Sequence, residues 1–461
     1  MPIQTQPPAA TRLAGFVSSA TVPDVARATA RDAVLDTVGV MLAGSAEPAA
    51  RIVQCVARTD GGAGSSVIFG TNNTVGPTYA ALANGTAAHA LDFDDMCWVT
   101  LAHPSAPLVA AGLAVGEVAD ASGRALLDAY VVGFEVEAVL GAVMNPTHYE
   151  HGWHCTSTIG TIGAAATASR VLGLDVETTA RALAIAASEA SGLKENFGTM
   201  VKPLQGGLAA RNGVLAALLA KESFTASERA IDGPQGFLVA MQSAGTNLSV
   251  GLDRLGHTWE IVDGGITVKL YPSCAATHPT IDTLLDLRRE QGLRPEAVDA
   301  IDVDVDPVTP TVLIYDRPTT GLEGKMSMHY CAAAALALGR VGIEAFESEA
   351  MHTPAVKRLV SRVTMHADDR LGREAPPLTQ ARITVRLGDG RTFEQFADGA
   401  RGYPAKPLTR AEFDGKFIGC ARRVVSAEIA AAALVYLRQF DNAIPVRGLA
   451  QTLTTQFPQP A

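Results

Sequence analysis

The amino-acid sequence predicts a mainly α protein: a large all-helical domain, built from residues 1–257 and 405–461, joined to a smaller α+β domain spanning 258–404. Three observations lead there. Apolar residues recur at helical spacing through roughly the first 255 positions, alternating patterns and a Gly-Asp-Gly turn follow, and helical spacing returns from Thr409. At one domain per ~150 residues, a chain of 461 has room for two or three domains and a large buried core.

The first long helix starts at Thr21, Pro23 and Asp24, and Leu35, Val38 and Leu42 carry its apolar stripe until Gly44 stops it. Leu127, Tyr130, Val131 and Phe134 repeat the i, i+3, i+4, i+7 spacing, with Asp128, Glu135 and Glu137 interleaved. Stretches 165–172, 178–187 and 208–220 are rich in alanine, whose small side chain lets helices approach closely. This predicts a compact helical core rather than a solenoid, and no fixed repeat period is present. In the second domain, 266–270 and 300–305 read as strands, the latter alternating Ile301, Val303 and Val305 with acidic residues. Residues 381–387, Gly388-Asp389-Gly390 and 391–396 read as a β-hairpin. Helices at 279–291 and 326–338 sit between these strands, and the helical pattern at 409–440 is expected to pack back on the first domain. The tail Pro458-Gln459-Pro460 is expected to be mobile.

Composition excludes several functions. Lysine and arginine number 37 against 47 aspartates and glutamates, a net charge of −10, so no sequence-wide basic field exists for nucleic acid. With 48% hydrophobic and 18% charged residues the chain is not of disordered type. Residues 1–22 carry one basic residue and no apolar run of signal length, and the run at 106–115 stops at Glu117, short of the ~20 residues of a membrane span. A cytoplasmic protein with no membrane partner is the expectation. The six cysteines are nowhere closer than 42 positions, which excludes structural-zinc and iron–sulfur spacing and leaves them as small buried apolar residues.

Five of the ten histidines (89, 103, 148, 151, 154) lie between residues 89 and 154, accompanied by Asp92-Phe93-Asp94-Asp95. Three carboxylates in four residues, followed by His103-Pro104, are either a solvated helix end or carboxylates that orient an imidazole. His148, His151 and His154 invite a metal reading, but Pro146 and Gly152 argue for a loop whose histidines are wall residues. Lys202 lies between a Gly-Thr turn and Pro203, just before an apolar helix, where backbone N–H groups attract anions; a solvent-facing lysine is the alternative. Lys269-Leu270-Tyr271-Pro272-Ser273-Cys274, with His278 close behind, ends a strand and starts a helix. Tyr330 falls in an alanine-rich helix, where a packed ring competes with a site role. Neither a P-loop nor a convincing GxGxxG follows any predicted strand, and Gly61-Gly62-Ala63-Gly64 reads as a simple turn. These cations and acid–base groups suit a small polycarboxylate better than a phosphate.

At these positions the sequence resembles the MmgE/PrpD family of 2-methylcitrate dehydratases, cis-aconitate decarboxylases and iminodisuccinate epimerases. The resemblance runs from about Asp32 to Leu437. It is carried by Asn84-Gly85-Thr86-Ala87-Ala88-His89 with Asp92-Phe93-Asp94-Asp95, by His103-Pro104-Ser105, and by Gly152-Trp153-His154-Cys155-Thr156-Ser157-Thr158. Gly198-Thr199-Met200-Val201-Lys202-Pro203 and Tyr271-Pro272-Ser273-Cys274 with His278 complete it, all in family order. The resemblance implies a helical domain made from both chain ends, an α+β lid, a homodimer, and neither metal nor cofactor. It implies a cleft between the domains containing Asp92, His103, His154, Lys202, His278 and Tyr330, with Lys269 and Met96 joining Lys202 and His278 as substrate contacts. Met96 replaces a threonine found in several dehydratase and decarboxylase members, and Gln205 stands where a histidine often follows Lys-Pro.

The activity implied is that of a cofactor-independent lyase or isomerase forming a carbanion beside a carboxylate, with a 2-methylcitrate dehydratase-like hydro-lyase placed first. An iminodisuccinate-type epimerase and a cis-aconitate-type decarboxylase are the alternatives; a histidine-based metal-dependent hydrolase or lyase is the alternative of another class. His154 or Lys202 would be the base, His103 held by Asp92 the acid, Lys202 and His278 carboxylate binders, and Tyr330 a further proton donor.

Overall fold

A computed structural model describes residues 6–243, 248–372 and 379–454. The Pro458-Gln459-Pro460 tail lies outside the described residues. The fold is mainly helical with a small α+β portion. One apolar core draws residues from Ala9 to Ile266 and again from Phe413 to Leu453; a second draws residues from Tyr271 to Leu387.

The first core is helix upon helix. Its centre is the Val201–Lys221 helix, packed against Pro77–His89, Ser105–Val118 and Cys155–Val171. Small residues set the closest crossing: a Cβ on Gly85 would come within 2.9 Å of Gly207 Cα, and one on Gly207 within 2.2 Å of Thr86 Oγ1. Only glycine admits that approach. It brings the end of the Pro77–His89 helix against the first turn of Val201–Lys221, so that His89 meets Lys202. The Asp24–Gly44 helix forms as expected, with Pro23 just ahead of its first turn. The pattern at 409–440 divides into two helices, Arg410–Ala421 and Ala427–Leu437, because Ser426 caps the second by accepting from Ile429 N–H. Both pack on the first core.

The second core lies under a four-stranded sheet. Val298–Val305 pairs in parallel with Val363–Ala367 on one side and antiparallel with Ala381–Leu387 on the other, and Thr392–Ala397 completes the sheet beyond Ala381–Leu387. Ile301, Val303 and Val305 face inward while Asp302 and Asp304 face out, as the alternation predicts. The His278–Gln291 and Met328–Leu338 helices contribute Ile281, Leu284 and Ala332–Ala335 to the same core.

One predicted strand is absent. Residues 266–270 form no ladder: Thr267 makes a single bridge to Met96, and Val268 N–H bonds Gly402 O at 2.9 Å. Two unrelated partners replace one neighbouring strand, and the segment instead delivers Lys269, wholly buried, to the seam between the two cores. Among the described residues no helix is long and apolar enough to cross a membrane.

Candidate active site

The site is built around the turn that follows the Pro77–His89 helix. Asp92 adopts a left-handed conformation, φ 51°, which is uncommon for a residue bearing a side chain and which turns the chain sharply. Three consecutive carbonyls of this turn each accept from a lysine of a distant segment. Lys325 Nζ donates to Leu91 O at 2.8 Å, Lys269 Nζ to Asp92 O at 3.0 Å, and Lys416 Nζ to Phe93 O at 2.9 Å. Cations suit a helix C-terminus, where carbonyls are left unpaired. Lys325 also reaches Pro272 O at 2.9 Å, and burial among these groups lowers its ammonium to about 8.

The carboxylates that could have formed a solvated helix end are instead buried. Asp92 accepts from Lys269 Nζ at 2.5 Å, with Lys202 Nζ at 3.3 Å and His103 Nε2 at 3.6 Å from the same oxygen. Burial alone would raise the Asp92 carboxyl, but Lys202 and Lys269 outweigh it and hold it well below the usual range. Asp94 lies 2.8 Å from His89 Nδ1 and 3.4 Å from His103 Nδ1, and is held low in the same way against its burial. Lys202 Nζ lies 3.2 Å from His89 Nε2, and a lysine can only donate. His89 therefore carries its proton on Nδ1 and gives it to Asp94. Asp92 Oδ2 and Asp94 Oδ1 are buried and take no hydrogen bond among the described residues, an arrangement costing about 1–3 kcal/mol per group that is kept where function needs it.

His154 precedes the Cys155–Val171 helix, and Lys202 is the second residue of Val201–Lys221. The His154 ring stacks on His89 at 5.6 Å between centroids and meets the edge of Phe197 at 5.0 Å. Its Nδ1 lies 2.6 Å from Gln205 Oε1. Burial, His89 and Lys202 all press its pKa well below the ordinary imidazole value. Burial and Lys269 lower His103 to about 4. His89 is lowered likewise, first by burial, so the surroundings favour the uncharged form of all three rings and the charged form of Asp92 and Asp94.

Asp95 points away from this cluster. It accepts from Ser105 N–H at 3.3 Å and from Ser105 Oγ, whose oxygen also meets Tyr130 OH at 2.6 Å. Burial raises it from 3.8 to about 8. Folded Asp95 thus keeps a proton that the unfolded chain releases, so its contribution to stability declines as pH rises between those values. Asp95→Asn is expected to gain on the parent protein progressively from pH 5 to pH 8. Urea unfolding across that range checks this, and a constant difference would contradict it.

The structure brings Asp92, His103, His154, Lys202 and Lys269 together. His278 stands close by: its Nε2 is 3.2 Å from Ser273 O, its buried Nδ1 has no hydrogen-bond partner among the described residues, and burial and Lys269 lower it to about 3. Tyr330 is not in the group. Its ring packs on Phe346 in the second core and its hydroxyl donates to Ala345 O, which places it apart from the charged cluster. Met96 bonds Thr267 through its backbone and packs with Trp98 and Tyr403, which places it beside the seam in an apolar cluster. His148, His151 and His154 do not converge. His148 uses both ring nitrogens on Met241 O and Thr158 Oγ1, and His151 bonds Thr147 O at an exposed turn. Among the described residues the ligand atoms close enough for a metal belong instead to His89, Asp94 and His103, within 4.8 Å of one another, and Lys202 Nζ lies 3.2 Å from His89 Nε2. His89, Asp94 and Gln205 were missed as site residues. The spacing of Asp94 two positions after Asp92, and of Gln205 one helical turn after Lys202, was the available signal.

A buried seam that gathers lysines, carboxylates and imidazoles with perturbed pKa values has the character of a functional site. The chain is similar to known proteins along most of its length. The MmgE/PrpD N-terminal domain matches residues 11–248 and the MmgE/PrpD C-terminal domain residues 271–442. Cis-aconitate decarboxylase of Mus musculus is 29% identical over 427 residues, covering 89% of this chain and 85% of that protein. The Homo sapiens cis-aconitate decarboxylase is 28% identical, covering 89% and 86%. The cis-aconitate decarboxylase-like protein oryM of Aspergillus oryzae is 31% identical, covering 78% and 79%. The chain belongs to the MmgE/PrpD family.

Proposed function

We propose that the protein is a lyase that forms a carbanion on a small polycarboxylate at this seam, and that its reaction is decarboxylation of cis-aconitate or a close analogue. The observation that carries the reading is the convergence of Lys202 and Lys269 on Asp92 beside two neutral imidazoles. Ammoniums that already hold one carboxylate can hold those of a substrate, and the first turn of the Val201–Lys221 helix adds its dipole. The names of the relatives move decarboxylation ahead of the dehydration that the sequence placed first.

The carbon–carbon bond to the departing carboxylate breaks, and carbon dioxide leaves. The electron pair shifts through the alkene to the carbon beside another carboxylate, where Lys202 and Lys269 stabilise the charge, and that carbon takes one proton. The cis-aconitate trianion and a proton give the itaconate dianion and carbon dioxide. Lys202 or His103 gives the proton; Asp92 keeps both oriented.

Proton NMR in heavy water with cis-aconitate, citrate, methylcitrate and iminodisuccinate tests this. Itaconate carrying one deuterium, formed from cis-aconitate, is the expected result. An alkene from methylcitrate with cis-aconitate untouched would overturn decarboxylation in favour of dehydration, and deuterium exchange with stereochemical scrambling would make the enzyme an epimerase. Silence across the panel would remove the substrate class.

A further inference from the structure

We infer that Gln205 is a positioning residue that holds His154 as its Nδ1–H tautomer, so that Nε2 meets the cleft as a lone pair. The inference rests on the reading of the seam as the active site and adds a residue to which no role has been given. A glutamine can present either its oxygen or its nitrogen to an imidazole, so the point turns on which way the amide is held. Gln205 Nε2 donates to Leu193 O at 3.2 Å, which leaves Oε1 toward His154 at 2.6 Å. That oxygen only accepts, so His154 Nδ1 must carry the proton. The Gln205 main chain is also held, since its backbone carbonyl accepts from Ser157 Oγ at 3.2 Å, in the first turn of the Cys155–Val171 helix. The residue is 4% exposed, so water does not compete for the amide.

Among the described residues the His154 side chain hydrogen-bonds only through Nδ1, to Gln205 Oε1, which leaves Nε2 free to meet a ligand. The groups around the ring are His89, Lys202, His103, Gln205 and Phe197, and none offers a carboxylate that would favour an imidazolium there. His154 can accordingly accept a hydrogen bond or a proton at Nε2 but does not deliver one. The proton that quenches a substrate carbanion is then left to Lys202 or His103. Because a glutamine does not titrate, it favours the same tautomer of the neutral ring at every pH; a titratable side chain at position 205 would make that preference depend on pH.

Long-range proton–nitrogen spectra of protein labelled with 15N-histidine read the tautomer directly, the His154 signals being assigned by their loss in His154→Asn. A protonated Nδ1 and an unprotonated Nε2 are expected, and the opposite pattern overturns the inference whatever the substrate proves to be. Gln205→Leu is expected to lower kcat on cis-aconitate by about 10–100-fold with KM little changed. Gln205→Glu keeps the acceptor and should recover turnover at high pH, while the acid limb of its kcat profile moves up by about 1–3 pH units as the new carboxylate favours the imidazolium. A Gln205→Leu protein with the parental tautomer and pH profile would reduce Gln205 to packing. Absence of turnover in the parent protein would sink the proposed function and leave the spectra to decide the tautomer.

Discussion

Asp92→Asn is expected to destabilise the folded protein by about 3–5 kcal/mol, the range for removing one partner of a buried ion pair. The asparagine can still accept a hydrogen bond, but Lys269, wholly buried, and Lys202, 5% exposed, lose their counter-charge. Urea unfolding gives the magnitude. The double variant Asp92→Asn with Lys269→Met should recover much of the loss, because it removes the stranded charge instead of burying it alone. A parental midpoint for Asp92→Asn alone would mean that the Lys269 ammonium is compensated elsewhere. Activity should be lost in both variants.

Lys202→Met is expected to do the reverse: leave stability near that of the parent and lower kcat by about 10²–10⁴-fold. Asp92 retains Lys269 at 2.5 Å, so no buried carboxylate is stranded, and the methionine stem refills the space beside Phe197; the hydrogen bond lost at His89 Nε2 costs about 1 kcal/mol. On the proposed reaction, what disappears is one of the two cations that stabilise the carbanion and one of the two candidate proton donors. Single-turnover measurements on cis-aconitate check this. A parental kcat would assign the proton to His103 and leave Lys202 with substrate binding alone. The two variants together separate the part of the charge cluster that holds the molecule from the part that acts on substrate.

The sequence was most informative where the physics is local. Helical spacing located the Asp24–Gly44 and Gly123–Met144 helices, alanine content marked 208–220 within Val201–Lys221, which starts early enough to include Lys202, and Gly388-Asp389-Gly390 marked the turn joining Ala381–Leu387 to Thr392–Ala397. It failed at 266–270, where apolar alternation looks the same whether a strand finds a partner or crosses a seam. The carboxylates at 92, 94 and 95 could be read as solvated or buried because their counter-charges lie far off in the chain; Lys269 is 177 residues from Asp92. Tyr330 is the opposite case, a chemical group whose hydroxyl already donates to a nearby carbonyl, a pairing that its alanine-rich surroundings do not reveal. Gln205 was noticed as a departure, but its bond to His154 depends on how two helices cross.

The three lysines on the carbonyls of 91–93 also bear on when the site can exist. Their partners lie 234, 177 and 323 residues away along the chain. Closing loops of that length is entropically slow and is rewarded only once both cores have condensed. The turn at Asp92 therefore takes its final shape late, after the Arg410–Ala421 helix has been synthesised and has docked with Lys416. A nascent chain released before that point would hold nearly every reactive side chain and none of their mutual geometry. The chemistry appears at completion of folding, which keeps partly made chains inert toward the metabolites around them.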